Sequence, residues 1–238
     1  MEKLRIAFYT DTYLPAIDGV VKSILSMREN LENLGHEVYI FAAGTKETIS
    51  MAKKDKHLFV VRGIRFRRYP QYTIALRPWF RDKIKELRPD IIHSHTPFSL
   101  GLLAAHAAKI TGAKLVSTFH TMVFSDEALS GYSSTNYTAK RIEKALLMHY
   151  LNWFYKKSDL VIALSNITKQ LLLDQLRLKN DVKMIPIGID LNERFYMLTE
   201  RFVQVLKFIW FYIRWHFNRY IKRYIASPAV SVEQSFSL

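Results

Sequence analysis

Three histidines are the residues of this sequence best placed to do chemistry. Pro89-Asp90-Ile91-Ile92-His93-Ser94-His95 is a short apolar run that turns polar at its end. Lys114-Leu115-Val116-Ser117-Thr118-Phe119-His120 repeats that layout after a helix-sized gap. Both read as strands of a parallel α/β sheet, and ligands of such sheets bind in the crevice beyond the carboxyl ends of the strands. His93, His95 and His120 are delivered to that edge. An imidazole there can hydrogen-bond a hydroxyl or stabilise developing charge. His93 and His95 are two residues apart, so on a strand both side chains fall on one face. The pair invites a metal, yet no third ligand accompanies it; the expected use is hydrogen bonding at the strand end, with one ring facing a cleft.

Two further groupings could bind anions. Gly19 follows the first strand and a turn-rich stretch, Thr10 to Asp18, and stands where a helix begins. Without a β-carbon the backbone can approach a diphosphate, and the free N–H groups of a helix amino terminus attract negative charge. Arg62, Arg65, Arg67 and Arg68, followed by Arg77 and Arg81, alternate with Ile64, Phe66, Tyr69, Tyr72 and Trp79. Such a surface can sit among anionic lipid headgroups, each basic residue contributing about 1 kcal/mol.

The elements that must position these residues form a βαβ series. Leu4 to Tyr9 is a strand, and Val20, Val21, Ile24, Met27, Leu31 and Leu34 recur at helical spacing until Gly35 stops the helix. His36 to Ala43 is a second strand, and the unit predicts a parallel sheet with a right-handed crossover. The pattern loosens between Gly44 and Pro78, where Leu58–Val61 and Ile64–Phe66 read as two short strands around Gly63. A short helix is expected over Trp79–Leu87, and a small-residue helix over Ser99–Ile110 that can lie close against the sheet. A polar stretch, Ser125–Thr138, is a candidate lid. A long helix from about Ala139 to Tyr155, a strand at Asp159–Leu164, a helix over Asn166–Leu176 capped by Ser165, and a last strand at Val182–Pro186 complete a doubly wound sheet of about six or seven parallel strands.

The composition limits what this scaffold does. The chain has 238 residues, 49% hydrophobic, no cysteine and a formal charge of +14. The absence of cysteine removes disulfides and thiolate metal sites and fits a reducing compartment. The amino terminus runs straight into a strand, so secretion is not expected. The charge calls for an anionic partner, but no nucleic-acid-binding signature accompanies it, so a lipid surface or phosphorylated substrate is expected instead of nucleic acid. Residues Phe195–Ile225 lack Gly and Pro and predict an amphipathic helix with a basic stripe, too short in its apolar run to span a bilayer.

The turn Thr10-Asp11-Thr12-Tyr13-Leu14-Pro15-Ala16-Ile17-Asp18-Gly19-Val20, the run His93 to Gly101 and Thr118-Phe119-His120-Thr121 together resemble glycosyltransferase family 4. Within it they are most similar to diacylglycerol glucosyltransferases and phosphatidylinositol mannosyltransferases. The resemblance runs from Lys3 to about Asp190, where Ile185-Pro186-Ile187-Gly188-Ile189-Asp190 looks like the family's interdomain hinge. It implies a B-fold glycosyltransferase in which residues 1–190 form a Rossmann-like acceptor domain. A nucleotide-sugar, UDP- or GDP-hexose, would be the donor, with no bound cofactor or metal, in a retaining transfer to a lipid acceptor.

By the same resemblance His120 lies beside the reacting sugar, and Asp18, Gly19 and Val20 face the donor phosphates. Tyr13, His95, Thr96, Arg65, Arg68 and Tyr72 would serve the acceptor. Residues 191–238 match nothing of the family's donor domain: Glu200 and Glu233 lack the surroundings of its paired-glutamate motif. The expectation is an acceptor half that is inactive alone, peripheral on the inner face of the cell membrane, with a donor-domain subunit as partner. The alternative is a non-catalytic protein that keeps the fold and docks on a membrane or partner.

Overall fold

The computed structural model describes residues 3–66, 69–75, 80–120, 137–179 and 181–186, with side chains throughout except at 69–71 and 137–140. The chain divides into two units, Met1–Gly188 and Ile189–Leu238. The second unit, and with it the expected basic helix, lies outside the described residues, as do Arg67, Arg68, Arg77, Trp79 and the hinge from Ile187 onward.

Eight strands make one sheet: β1 (Arg5–Thr10), β2 (Glu37–Gly44), β3 (Leu58–Phe66), β4 (Tyr69–Ala75), β5 (Ile91–Ser94), β6 (Lys114–Phe119), β7 (Leu160–Ala163) and β8 (Asp181–Met184). Their order is β4-β3-β2-β1-β5-β6-β7-β8. All neighbours pair in parallel except β3 and β4, which are antiparallel. Strand order reverses at β1, which pairs with β2 on one side and β5 on the other. This is the topological switch point at which doubly wound sheets open a crevice.

Six helices among the described residues join the strands: α1 (Gly19–Asn33), α2 (Lys46–Ala52), α3 (Arg81–Leu87), α4 (Ser99–Thr111), α5 (Tyr137–Tyr155) and α6 (Asn166–Asp174). The pleat sends alternate residues of β1 and β2 to opposite layers. Ala7, Tyr9, Tyr39 and Phe41 pack with Ile84 of α3 and Leu100 and Ala104 of α4. Ile6, Phe8, Val38 and Ile40 pack with Val20 and Ile24 of α1. A third cluster joins Phe119, Val161 and Ala163 to Leu151, Phe154 and Tyr155 of α5 and Leu172 of α6. No described helix is long and apolar enough to cross a membrane.

The structure corrects the reading of the loosened region. Leu58–Phe66 is one strand, not two. Gly63 does not break it: a β-carbon there would stand 2.3 Å from the Ile74 carbonyl oxygen, so glycine lets β4 pair closely. Helix α2 was not foreseen: its seven residues are too few to show helical periodicity, and no proline marks its start as Pro78 does for the short helix before Pro89. Tyr137 and Thr138, read as the end of the lid, open α5 instead; the rest of that stretch, to residue 136, lies outside the described residues.

Candidate functional site

Each histidine reaches the sheet edge through its strand. His93 lies within β5, His95 just beyond it, and His120 one residue past β6. The spacing of two stacks His93 on His95, with centroids 4.1 Å apart and planes at 27°. Phe8 of β1 meets both rings edge-on, at 5.4 and 4.8 Å. His93 Nε2 lies 2.7 Å from Thr118 Oγ1, and His95 Nδ1 lies 3.2 Å from His120 Nε2. Three imidazoles thus run in a column from the core to the cleft.

Burial keeps this column neutral, because a desolvated imidazolium has lost its hydration without gaining an anion. Desolvation lowers His93 to about 3, with a further contribution from His120. It holds His95 well below the ordinary histidine value, reinforced by His93 and His120. It lowers His120 to about 4, against an opposing pull from the Asp18 carboxylate. Among the described residues, no three His, Cys, Asp or Glu side chains are grouped to hold a metal ion.

A fully buried carboxylate fixes the loop that carries His95. Asp11, at the end of β1, accepts hydrogen bonds from Thr96 Oγ1 at 2.6 Å, from the Leu100 amide at 3.0 Å and from the Ser99 hydroxyl. Its own amide donates to Thr96 Oγ1 at 2.9 Å, and the His95 amide donates to the Tyr9 carbonyl at 2.9 Å. Desolvation raises the Asp11 carboxyl to about 6, while the Ser99, Thr96 and backbone hydrogen bonds pull it back. From the other side, the Tyr150 hydroxyl donates to the Pro97 carbonyl. The loop is therefore tied to β1, to the start of α4 and to α5.

Beside His95 and His120 lies a mostly aromatic cavity that opens to solvent. Phe66, Tyr72, Thr96, Pro97, Phe98, Phe119, Leu151 and Tyr155 complete its described lining. Tyr72 meets Phe98 edge-on at 5.5 Å. None of these lining side chains carries a formal charge. The cavity can take an apolar body whose polar end reaches the histidines.

The expected site residues divide between this edge and elsewhere. His120, His95, Thr96 and Tyr72 come together at the cavity. Thr96 presents little polarity to it, since its hydroxyl is engaged by Asp11. Gly19 is exposed, and a β-carbon there would meet nothing within 4 Å. Asp18 is the helix cap: one carboxylate oxygen accepts from the Val21 amide at 2.8 Å and the other from Thr12 Oγ1 at 2.9 Å. Val20 packs its side chain in the core, which leaves only backbone for a ligand.

Two acceptor residues lie away from the cavity. Tyr13 is buried against α1, and Arg65 is exposed on β3. Arg68 lies outside the described residues. Sequence reasoning missed Asp11, Phe98, Leu151 and Tyr155. The spacing of Asp11 to Thr96 and Ser99, about ninety residues, holds no local signal. Helical periodicity marked α5 but not which of its faces meets the site.

Residues 17–193 match the family described as Glycosyltransferase Family 4. An alpha-monoglucosyldiacylglycerol synthase from Streptococcus pneumoniae (strain ATCC BAA-255 / R6) is 31% identical over 192 residues, 79% of this chain and 41% of that protein. An alpha-monoglucosyldiacylglycerol synthase from Acholeplasma laidlawii is 31% identical over 214 residues, 86% of this chain and 51% of that one. A glycosyltransferase structure from Rickettsia africae ESF-5 shares the fold, with a TM-score of 0.50 at 21% identity, over 80% of this chain and 44% of its own. The chain spans about half the length of the curated relatives it matches.

Proposed function

The chain belongs to glycosyltransferase family 4, and from that premise we propose that residues 3–186 are the acceptor-side half of a retaining hexosyltransferase making a glycolipid. The acceptor is a neutral lipid alcohol of the diacylglycerol type. The donor is a nucleotide-sugar held mainly by a second, donor-binding half. The observation that carries this reading is the pairing of an uncharged aromatic cavity with a neutral histidine at the switch-point edge of the sheet.

The lipid's apolar body would lie along Phe66, Tyr72, Phe98 and Tyr155, with its hydroxyl towards His120. The amino terminus of α1 at Gly19 would face the donor phosphates, where unpaired N–H groups favour an anion. His120, neutral near pH 7, would hydrogen-bond the sugar and stabilise charge in the transition state. The leaving phosphate would take the acceptor proton, so no protein base is required. The exposed arginines of β3 would hold the domain against an anionic bilayer as a peripheral protein.

The direct test incubates the purified chain with the donor half of a relative, labelled UDP- or GDP-hexose and mixed lipids, and looks for labelled glycolipid. Product that requires diacylglycerol supports the reading. Absence of product, with lipid vesicles still bound, would favour a docking protein that has kept the fold.

A further inference from the structure

His95 and His120 meet nitrogen to nitrogen, and two neutral imidazoles in that arrangement share one hydrogen. One ring donates and the other accepts. Which way it runs determines what His120 offers to a ligand. Its Nε2 is turned to His95, and its Nδ1 has no hydrogen-bond partner among the described residues. Nδ1 is therefore the nitrogen left for the cavity that His120 lines.

The buried end of the pair decides between the two directions. His95 Nε2 is enclosed and has no hydrogen-bond partner among the described residues, with His95 itself 1% exposed. Were His120 to donate, His95 would carry its hydrogen on Nε2, as a buried N–H with no acceptor. Orphaned buried N–H groups are rarer in proteins than acceptors left short of a donor. The opposite direction leaves only a bare lone pair at Nε2. The His93 stack and the Phe8 edge hold the ring in place without asking for a hydrogen bond.

We propose that His95 is a positioning residue that donates from Nδ1 to His120 Nε2, fixing His120 as the Nδ1–H tautomer and turning a donor, not a base, towards the cleft. His120 then reads the lone pairs of a ligand oxygen and cannot take a proton from an acceptor hydroxyl. The hydrogen bond from His95 exists without any ligand; only the identity of the oxygen that His120 meets rests on the glycosyltransferase reading.

Nitrogen-15 NMR of the histidine-labelled chain at pH 7.5 tests this, with His120 assigned by the signal lost in His120→Gln. The expected pattern is a protonated Nδ1 and a bare Nε2. His95→Asn places an amide N–H near the same point and should preserve that pattern. His95→Phe keeps the ring packing but has no donor, and should shift His120 to the Nε2–H form or to a mixture. A wild-type His120 protonated at Nε2 overturns the proposal, as does an unchanged tautomer in His95→Phe. If His95→Phe does not fold, the wild type and His95→Asn still decide. Diacylglycerol in mixed micelles separates the two claims: the Nδ1–H pattern without any response to the lipid supports the positioning role and counts against the proposed acceptor.

Discussion

His93, His95 and Asp11 are buried, and His120 half-buried, in the protonation states they hold at neutral pH, and acid acts on them in opposite senses. Below about pH 6.5 an unfolded chain protonates its histidines, whereas folded His93 and His120 wait until about 3 and 4 and His95 is held low as well. The unfolded state then binds more protons, so stability falls as pH drops through that window. Asp11 runs the other way: folded, it takes a proton near 6, which the unfolded carboxyl does not take until about 3.8. Three groups oppose one, so the melting temperature of the chain should fall by several degrees between pH 7.5 and 5. Calorimetry at the two pH values checks this, and an unchanged or higher value at pH 5 would refute the neutral column.

Gly19 provides a second test at the residue scale. A β-carbon there meets nothing within 4 Å among the described residues, and alanine is the better helix former by about 1 kcal/mol. Gly19→Ala should therefore leave the urea midpoint unchanged or slightly raised. If donor phosphates approach this backbone, the same change should lower transfer at least about tenfold in the reconstituted assay, which is about 1.4 kcal/mol. Normal transfer would remove Gly19 from the site.

Among the elements, α4 is closely seated at Gly101. A β-carbon on Gly101 would come within 2.1 Å of the Thr96 carbonyl oxygen and 3.0 Å of Phe154. The helix is thus seated between the His95 loop and α5, and Asp11 caps its first turn at Leu100. Gly101→Ala should cost about 1–3 kcal/mol, read as a lower urea midpoint. It should also push the Thr96 carbonyl and disturb His95, so the histidine NMR signals should broaden or move. A variant as stable as the wild type, with unchanged histidine signals, would mean that α4 does not hold the loop. The small residues at Gly101, Ala104, Ala107 and Ala108 signalled a close-packed helix in the sequence; what it packs against was not legible there.

For the whole molecule, orientation is the quantity on which the proposed reading turns. Holding two reactants in place gives about 7 to 11 kcal/mol over free encounter, and on that reading residues 3–186 contribute the acceptor wall. The 238-residue chain assayed alone should give no measurable glycolipid, and a donor half added in trans should restore it. Robust product from the chain alone would overturn the division of labour. With a formal charge of +14, the chain should co-sediment with acidic vesicles and not with neutral ones. Equal, negligible binding to both would leave its basic residues to another partner.

Short apolar runs in succession with helical patterns, the stop at Gly35 and the cap at Ser165 are local signals, and they sufficed for a parallel α/β sheet and for the edge to which His93, His95 and His120 are delivered. The same local chemistry marked Gly19 as a helix start. It could not decide partners distant in the chain. Whether Gly63 broke a strand depended on how near β4 would come. Whether Tyr13 reached the cavity depended on α1, against whose Val20 and Ile24 its ring packs instead. Asp11, tied to Thr96, Ser99 and Leu100, and the apposition of His95 to His120 arise only when β1, β5 and β6 lie side by side. Hydrogen bonds and burial act across space, so the protonation state of the site, and the residues that set it, were decided by the tertiary structure alone.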